Sequence, residues 1–443
     1  MAVNNWYKTT YTPWLKTCAV LALGVSVALP TLAQTPPEPV DQIRSILKGF
    51  EQTPTERDKN LRGQTAKLAT LQEVRLALEL VEWHSPESGS PNARVDAQVR
   101  AELVDRLAEG YRQALSSNEK AIKTQLLTTL TECTKDRTTG RGVLDTCSLL
   151  TIELGRVACG TEPEQGVMAI ELLGRVPVPA SALVGLFEKA LLPDSPMRRL
   201  AVSEAICEML GKEIQTTRGT AGNPGRSLEQ ISAVLPLVLR LTQDEQVRVR
   251  RTSLDAAQKL GQLAHAAATD RSVLPAGEGE LARDLASGNA SRLTAGMAPR
   301  VLVCLRDTDA ESRRKAQACL AELLRVRAAL VEVNSGSTDP LGSVMTSCLR
   351  TLSEALRDPD TKVRRAALEC LEILGKGAAS CGATVLQTLD DPDSFVRWGA
   401  IRVLVALGSS APAGTSEGIK TRLEDDDADV RSAAESALRR LRN

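Results

Sequence analysis

Two histidines are the whole imidazole supply of the chain. His84 sits in "EWHSP" and His265 in "LAHAA". A zinc site or a Ser/His/Asp arrangement needs partners at recognisable spacing, and neither histidine has them, so both are read as incidental. The ten cysteines form no CxxC and no CxxCH, which leaves paired-Cys zinc binding and haem attachment without support. "GTAGNPG" at 219–225 is glycine-rich, but no Lys-Ser/Thr follows to make a phosphate loop, and it is read as a flexible connection. The acidic run Asp425–Asp429 has charge enough for calcium yet lacks the loop glycine and the distal glutamate, so a helix-entry turn is expected there instead. The expected catalytic, cofactor-binding and metal-ligating sets are therefore empty.

The residues that do recur at fixed spacing are Asp and Arg. "DPDTKVRRAALECLEILG" (358–375) returns as "DPDSFVRWGAIRVLVALG" (391–408) and as "DDDADVRSAAESALRRLR" (425–442). Val363, Val396 and Val430 set a period of 33 and then 34 residues, within the range of stacked supersecondary units. Behind each valine the apolar residues keep helical spacing: Val396, Ala400, Val403, Leu404 and Leu407 share one face of a helix of about four turns. Asp360, Asp393 and Asp427 stand three residues before the valine, where a carboxylate can accept free amide protons of the first turn. Gly375 and Gly408 follow the last apolar residue, as helix-terminating glycines do. Upstream lies a second helical run, "VMTSCLRTLSEAL" at 344–356, so each unit is helix, tight turn, helix. Asp360, Arg364, Asp393, Arg397, Asp427 and Arg431 are read as capping and cross-linking neighbouring units, because a ligand site rarely repeats in every unit.

The pattern "LxxLxDPDxxVRxxAxxALxxLG" resembles the HEAT-like repeat, in the short form also found in phycobiliprotein lyases and bacterial scaffold proteins. The match is strong over the last three units and fair at 307–324, where Ser312 replaces the valine. It weakens at 243–261 and 194–211, and further upstream only the Leu-Gly endings at 154–155 and 173–174 remain. Ankyrin and tetratricopeptide signatures are missing. The resemblance implies an all-α fold, an α-solenoid built as a right-handed superhelix of helical hairpins whose second helices line the concave side.

Composition agrees with stacking by helices. Lys plus Arg and Asp plus Glu both number 55, so there is no basic field of the kind nucleic-acid binding relies on. At the N-terminus, Lys8 and Lys16 precede "TCAVLALGVSVALPTLA", a short apolar run that holds Pro30 and ends in small residues, which is the pattern of a secretory signal cut after Ala33. A retained anchor is the alternative. No other stretch is long and apolar enough to span a bilayer. Without residues 1–33 the chain keeps 53 basic against 55 acidic residues, nine cysteines and six aromatics: Phe50, Trp83, Tyr111, Phe187, Phe395 and Trp398. So few aromatics argue against a carbohydrate platform or a single-strand groove. Cys319 and Cys370 share one core position of their units and are read as small buried apolar residues.

The expected organisation is a signal peptide (1–33), a Pro-rich tether (34–62), divergent helical repeats (63–240) and a HEAT-like array (241–443). Insertions at 262–291 and 325–340, with a third at 212–227, are expected to break the array. At 100° per residue, positions +2, +6 and +9 after the valine point away from the apolar stripe. They carry Arg365, Glu369 and Glu372, then Trp398, Arg402 and Val405, then Ser432, Ser436 and Arg439. A Trp beside an Arg has the composition of an interface hot spot, so Trp398, Arg402, Arg365, Glu369 and Arg439 are the candidate protein-binding residues. The function expected is a non-catalytic scaffold, exported to a bacterial periplasm or envelope, that binds a protein partner and no nucleic acid or cofactor. A bilin lyase-like enzyme or an accessory subunit of an envelope complex is the alternative that the resemblance implies.

Overall fold

The computed structural model describes residue 75 and residues 93–116, 120–135, 141–192, 195–218, 224–269, 278–333 and 339–442. Residues Met1–Thr53 and Pro54–Asn443 are two separate units, and every described residue belongs to the second. The expected signal peptide and tether, and His84, lie outside the described residues.

Every element among the described residues is helical. The first are α1 (Ala93–Ser116), α2 (Lys120–Cys133), α3 (Arg141–Ser148) and α4 (Thr151–Ala158). Then come α5 (Pro163–Arg175), α6 (Ala180–Ala190), α7 (Pro196–Arg218), α8 (Pro224–Ile231) and α9 (Leu235–Leu241). Long helices follow: α10 (Val247–Thr269), α11 (Glu278–Cys304) and α12 (Ala310–Val333). The regular end consists of α13 (Met345–Ala355), α14 (Thr361–Leu374), α15 (Gly382–Gln387), α16 (Ser394–Leu407), α17 (Thr415–Thr421) and α18 (Ala428–Arg442). Helices α5, α7, α10, α12, α14, α16 and α18 stack each on the next in one row. In the other row α4, α6, α8, α11 and α13 follow one another. Each unit thus touches its neighbours and little else, which is the build of an α-solenoid.

The apolar stripe places the core between the rows. Val396, Ala400, Val403, Leu404 and Leu407 are fully buried on α16, as are Val363, Ala367, Cys370 and Leu371 on α14. Asp360 caps α14 by accepting from the amides of Lys362 and Val363, and Asp393 caps α16 through the amide of Val396. Asp427 receives the amides of Asp429 and Val430. Gly375 and Gly408 end their helices at φ 51° and 55°, a backbone conformation that costs other residues strain.

The two upstream Leu-Gly pairs are a different device. Gly155 and Gly174 lie inside α4 and α5, not past their ends. A Cβ on Gly174 would stand 2.7 Å from Ala205 Cα of α7, so this glycine sets how closely the two helices approach. The segments expected to break the array also take another form. Residues 262–269 lengthen α10, 278–291 lie in α11, 325–333 lengthen α12 and 212–218 lengthen α7. The reason is that the helical stripe does not stop there: Leu263, Ala264, Ala267 and Ala268 continue the buried face of α10, and Val326, Ala329 and Leu330 that of α12.

Adjacent units are joined by a repeated ionic contact. The arginine after the core valine reaches forward to the first aspartate of the next turn. Arg250 meets Asp307 at 2.6 Å, Arg313 meets Asp358 at 2.7 Å, Arg364 meets Asp391 at 2.7 Å and Arg397 meets Asp425 at 2.6 Å. Each of the four is bidentate, with Nε on one carboxylate oxygen and Nη2 on the other. The remaining Nη1 turns back and donates to two carbonyls of its own turn, as Arg364 does to Asp358 and Pro359. At least four of the five guanidinium N–H groups are thereby used, and in Arg364 the fifth goes to Thr361 Oγ1. The aspartate also accepts an amide two residues on, as Asp391 does from Asp393. These side chains are largely withdrawn from water, with Arg397 at 12% and Asp425 at 2% exposure. Upstream, Arg199 and Asp244 form the corresponding pair at 2.8 Å.

Removing one partner of such a pair strands a desolvated charge, which costs about 3–5 kcal/mol, whereas an exposed pair is worth under about 1 kcal/mol. Asp425→Ala should therefore destabilise the chain by several-fold more than Glu354→Ala, which only breaks the solvent-exposed pair with Arg306. Urea denaturation of both variants measures the difference. The hydrogen bonds from Arg397 hold the Asp425 carboxyl below the usual range, and those from Arg365 do the same for Asp393. A depressed folded-state pKa gives stability that is present above the unfolded value of about 3.9 and lost as pH falls through the folded one. Stability should thus hold down to about pH 4 and fall below it. Asp425→Asn, though less stable at neutral pH, should show a shallower acid limb.

Candidate interaction surface

The second helices α14, α16 and α18 carry the surface residues that the spacing singles out. Arg365 of α14 pairs with Asp393 at 2.6 Å, and its guanidinium carbon stands 4.3 Å from the ring centre of Phe395. One turn further along α16, Arg402 lies 4.4 Å from the ring centre of Trp398 and pairs with Glu372 at 2.5 Å. Both distances fall within cation–π range. Two arginines therefore stand over two aromatic rings of one helix, each with its charge answered by a carboxylate of the neighbouring unit. Glu369 is engaged elsewhere, by Arg325 at 2.6 Å. Arg439 on α18 reaches only Glu435 of its own helix, at 3.9 Å. The structure thus brings Arg365, Trp398 and Arg402 into one region, while Glu369 is tied to α12 and Arg439 stands on the last helix.

Asp360, Arg364, Asp393, Arg397, Asp427 and Arg431 all lie at the turns that join units. Arg431 donates to the carbonyls of Asp425 and Asp426, its own turn. The acidic run Asp425–Asp429 is spent on this turn: Asp425 takes Arg397, and Asp427 caps α18.

Two features differ from the expectation drawn from the helical wheel. Trp398 is half-buried instead of facing solvent, because α16 is flanked within its row by both α14 and α18 and positions beside the stripe also lose water. The strongly exposed aromatic is Phe395, at 61%. It stands in the first turn of α16, one residue before the core valine, where the wheel puts it outside the stripe; an aromatic at an otherwise polar helix entry was the signal for it.

The position that Trp398 occupies explains the patch. In earlier units the residue two places after the valine position is Arg251 or Arg365, each paired with the cap aspartate of the next helix, Asp309 or Asp393. Arg314 stands at that place in α12 but turns to Glu311. At Trp398 the cation is replaced, and the cap Asp427 takes a hydrogen bond from Ser394, which with backbone amides holds its carboxyl below the usual range. A second ionic row is broken there and an aromatic surface takes its place.

Among the described residues no group of three or more His, Cys, Asp or Glu is placed to hold a metal ion. No described helix is long and apolar enough to cross a membrane. His265 lies half-buried on α10, a helix otherwise engaged in stacking. Truncating Trp398 to Ala should cost about 1 kcal/mol of folding stability, in keeping with half-burial of its ring. Phe395→Ala should cost under about 0.5 kcal/mol. Paired urea melts of the two variants give the comparison.

A family profile described as HEAT repeats matches residues 349–439. No curated protein matches the chain. Among solved structures it is similar to an archaeal HEAT-like repeats protein from Thermococcus onnurineus NA1, at 15% identity over 66% of this chain and 97% of that one, with a TM-score of 0.39. It is also similar to a designed armadillo repeat protein in complex with the peptide (KR)4, at 15% identity over 58% of this chain and 99% of that one, with a TM-score of 0.39. Importin beta matches at 14% identity over 90% of this chain and 50% of its own length, with a TM-score of 0.41. The capped Asp-x-Asp turns and the profile agree: residues 349–439 are HEAT repeats, the regular end of an α-solenoid of stacked helical pairs.

Proposed function

We propose that the chain is a non-catalytic, exported repeat scaffold that binds another protein through the second-helix face of its C-terminal units. One observation carries the reading: the adjacent stacks of Arg365 on Phe395 and Arg402 on Trp398, in the most regular part of the array. An exposed Phe395 and a half-buried Trp398 beside arginines have the make-up of interface anchors, since each offers large flat area at little conformational cost. A rigid row of helices presents them without the ordering cost that a loop would add. Because Asp393 and Glu372 already answer both arginines, the fitting partner offers apolar side chains to cover the rings and needs no strong net charge. The leader-like segment before Gln34 supports export.

The test is capture of a partner from the envelope fraction on wild-type protein and on the Phe395→Ala/Trp398→Ala double variant. Binding at this patch predicts at least about a tenfold loss of affinity in the double variant, the scale of a hot-spot truncation. It also predicts weak dependence on salt. A partner held equally well by the double variant rejects the patch as the contact, and a bound chromophore in place of a protein rejects the scaffold reading. Mass analysis of the envelope form should find an N-terminus near Gln34; an intact Met1 rejects cleavage.

A further inference from the structure

Of the nine described cysteines six are buried in the core, Cys133 meets Arg75 and the Cys159 thiol faces the Leu186 carbonyl; Cys207 differs. It stands half-buried on α7, and the Lys259 side chain of α10 crosses to it from the next unit. Lys259 Nζ lies 3.1 Å from Cys207 Sγ and 2.8 Å from the Cys207 carbonyl oxygen. Gly211 stands one turn along the same face of α7, and a Cβ there would come within 3.3 Å of Nζ, so the missing side chain leaves the slot the lysine occupies. Lys120, Lys135, Lys212, Lys315 and Lys420 each face a carboxylate. Lys259 meets none among the described residues; sulfur and a carbonyl are its only partners.

We propose that Cys207 and Lys259 form a peroxide-driven modification site, in which a hydroperoxide converts the contact into a covalent sulfur–nitrogen link between α7 and α10. In the first step the Cys207 sulfur attacks hydrogen peroxide; the O–O bond breaks, a sulfenic acid forms and water leaves. The sulfur is oxidised by two electrons and the peroxide is reduced. Lys259 then gives a proton of its ammonium to solvent, and the nitrogen lone pair attacks the sulfenic sulfur. The S–N bond forms, the S–O bond breaks, and hydroxide leaves with a proton from nitrogen as a second water. The net change joins one thiol, one amine and one peroxide into a sulfenamide and two waters. The two reacting atoms already stand at contact distance on rigid helices, so the second step needs no search for its nucleophile. Reaction at the six core cysteines is disfavoured by burial, which pushes the thiols of Cys147 and Cys348 up to about 12 and raises Cys304, Cys319, Cys370 and Cys381 as well.

The experiment treats the full chain with hydrogen peroxide near stoichiometry and maps its peptides without reducing agent. The expected product is a linked pair of peptides holding Cys207 and Lys259, lighter by two hydrogen atoms than the two apart, and separated again by dithiothreitol. Lys259→Arg keeps the charge but removes the amine; it should yield no link and leave a sulfenic acid at Cys207 that dimedone labels. Circular dichroism of each variant confirms that it is folded. The proposal is overturned if wild-type Cys207 resists oxidation, proceeds to sulfinic acid with Lys259 unlinked, or pairs with another cysteine. It is overturned equally if Lys259→Arg shows the same loss of two hydrogens.

Discussion

One guanidinium group in each unit holds two turns at once. Its forward edge grips the carboxylate of the next turn, and its remaining nitrogen closes the carbonyls of its own. Where the arginine is withdrawn from water both halves are needed, because a buried cation needs its hydrogen bonds met; Arg431 on the last helix makes only the backward half. Together the two halves fix the distance and rotation between successive helices of the second row. The apolar stripe supplies most of the stabilisation, but apolar contact is nearly indifferent to small slides along a helix. The bidentate pair is directional and permits only one register. The surface residues on α14 and α16 inherit their mutual positions from it.

How much of this could be read from the letters follows from how local each feature is. The helical pairs, the caps Asp360 and Asp393 and the terminating glycines act within one turn of their own sequence, so the period exposes them. The partner of each arginine does not act locally: Asp391 lies 27 residues after Arg364, and Asp425 lies 28 after Arg397. The repetition of the first aspartate of the turn held that information, but spacing alone drew attention to the second one, which caps. Gly174 misled for a related reason. Its place after a leucine suggested a helix end, whereas its role is set by Ala205 of another helix.

The surface was legible in composition and less so in geometry. A tryptophan in a chain with few aromatics drew attention to α16, and Arg402 at one turn's distance is the cation that stands over its ring. The wheel treats a helix as having one covered side, but a helix inside a stack has three. That is why Trp398 is half-covered and Phe395, at the helix entry, is the ring left to solvent. The replacement of a cation by an aromatic at Trp398 shows how a repeat array gains an individual surface: the ionic rows tolerate one missing member while the stripe continues beneath it.

The forward reach of the arginine gives the array a direction in time. A chain that enters its folding compartment N-terminus first can close each unit's own carbonyls while the forward edge stays open until the next Asp-x-Asp turn follows. At any moment the nascent solenoid therefore exposes a single unmet grip, at its growing end, while everything behind that point is locked. Folding that advances with the chain encounters the correct carboxylate first, since the next turn is the first one available. A refolding chain released from denaturant all at once has no such order, and each arginine meets several equivalent turns. The repetition that makes the structure simple thus also offers equivalent wrong registers, and emergence in order presents the right turn first.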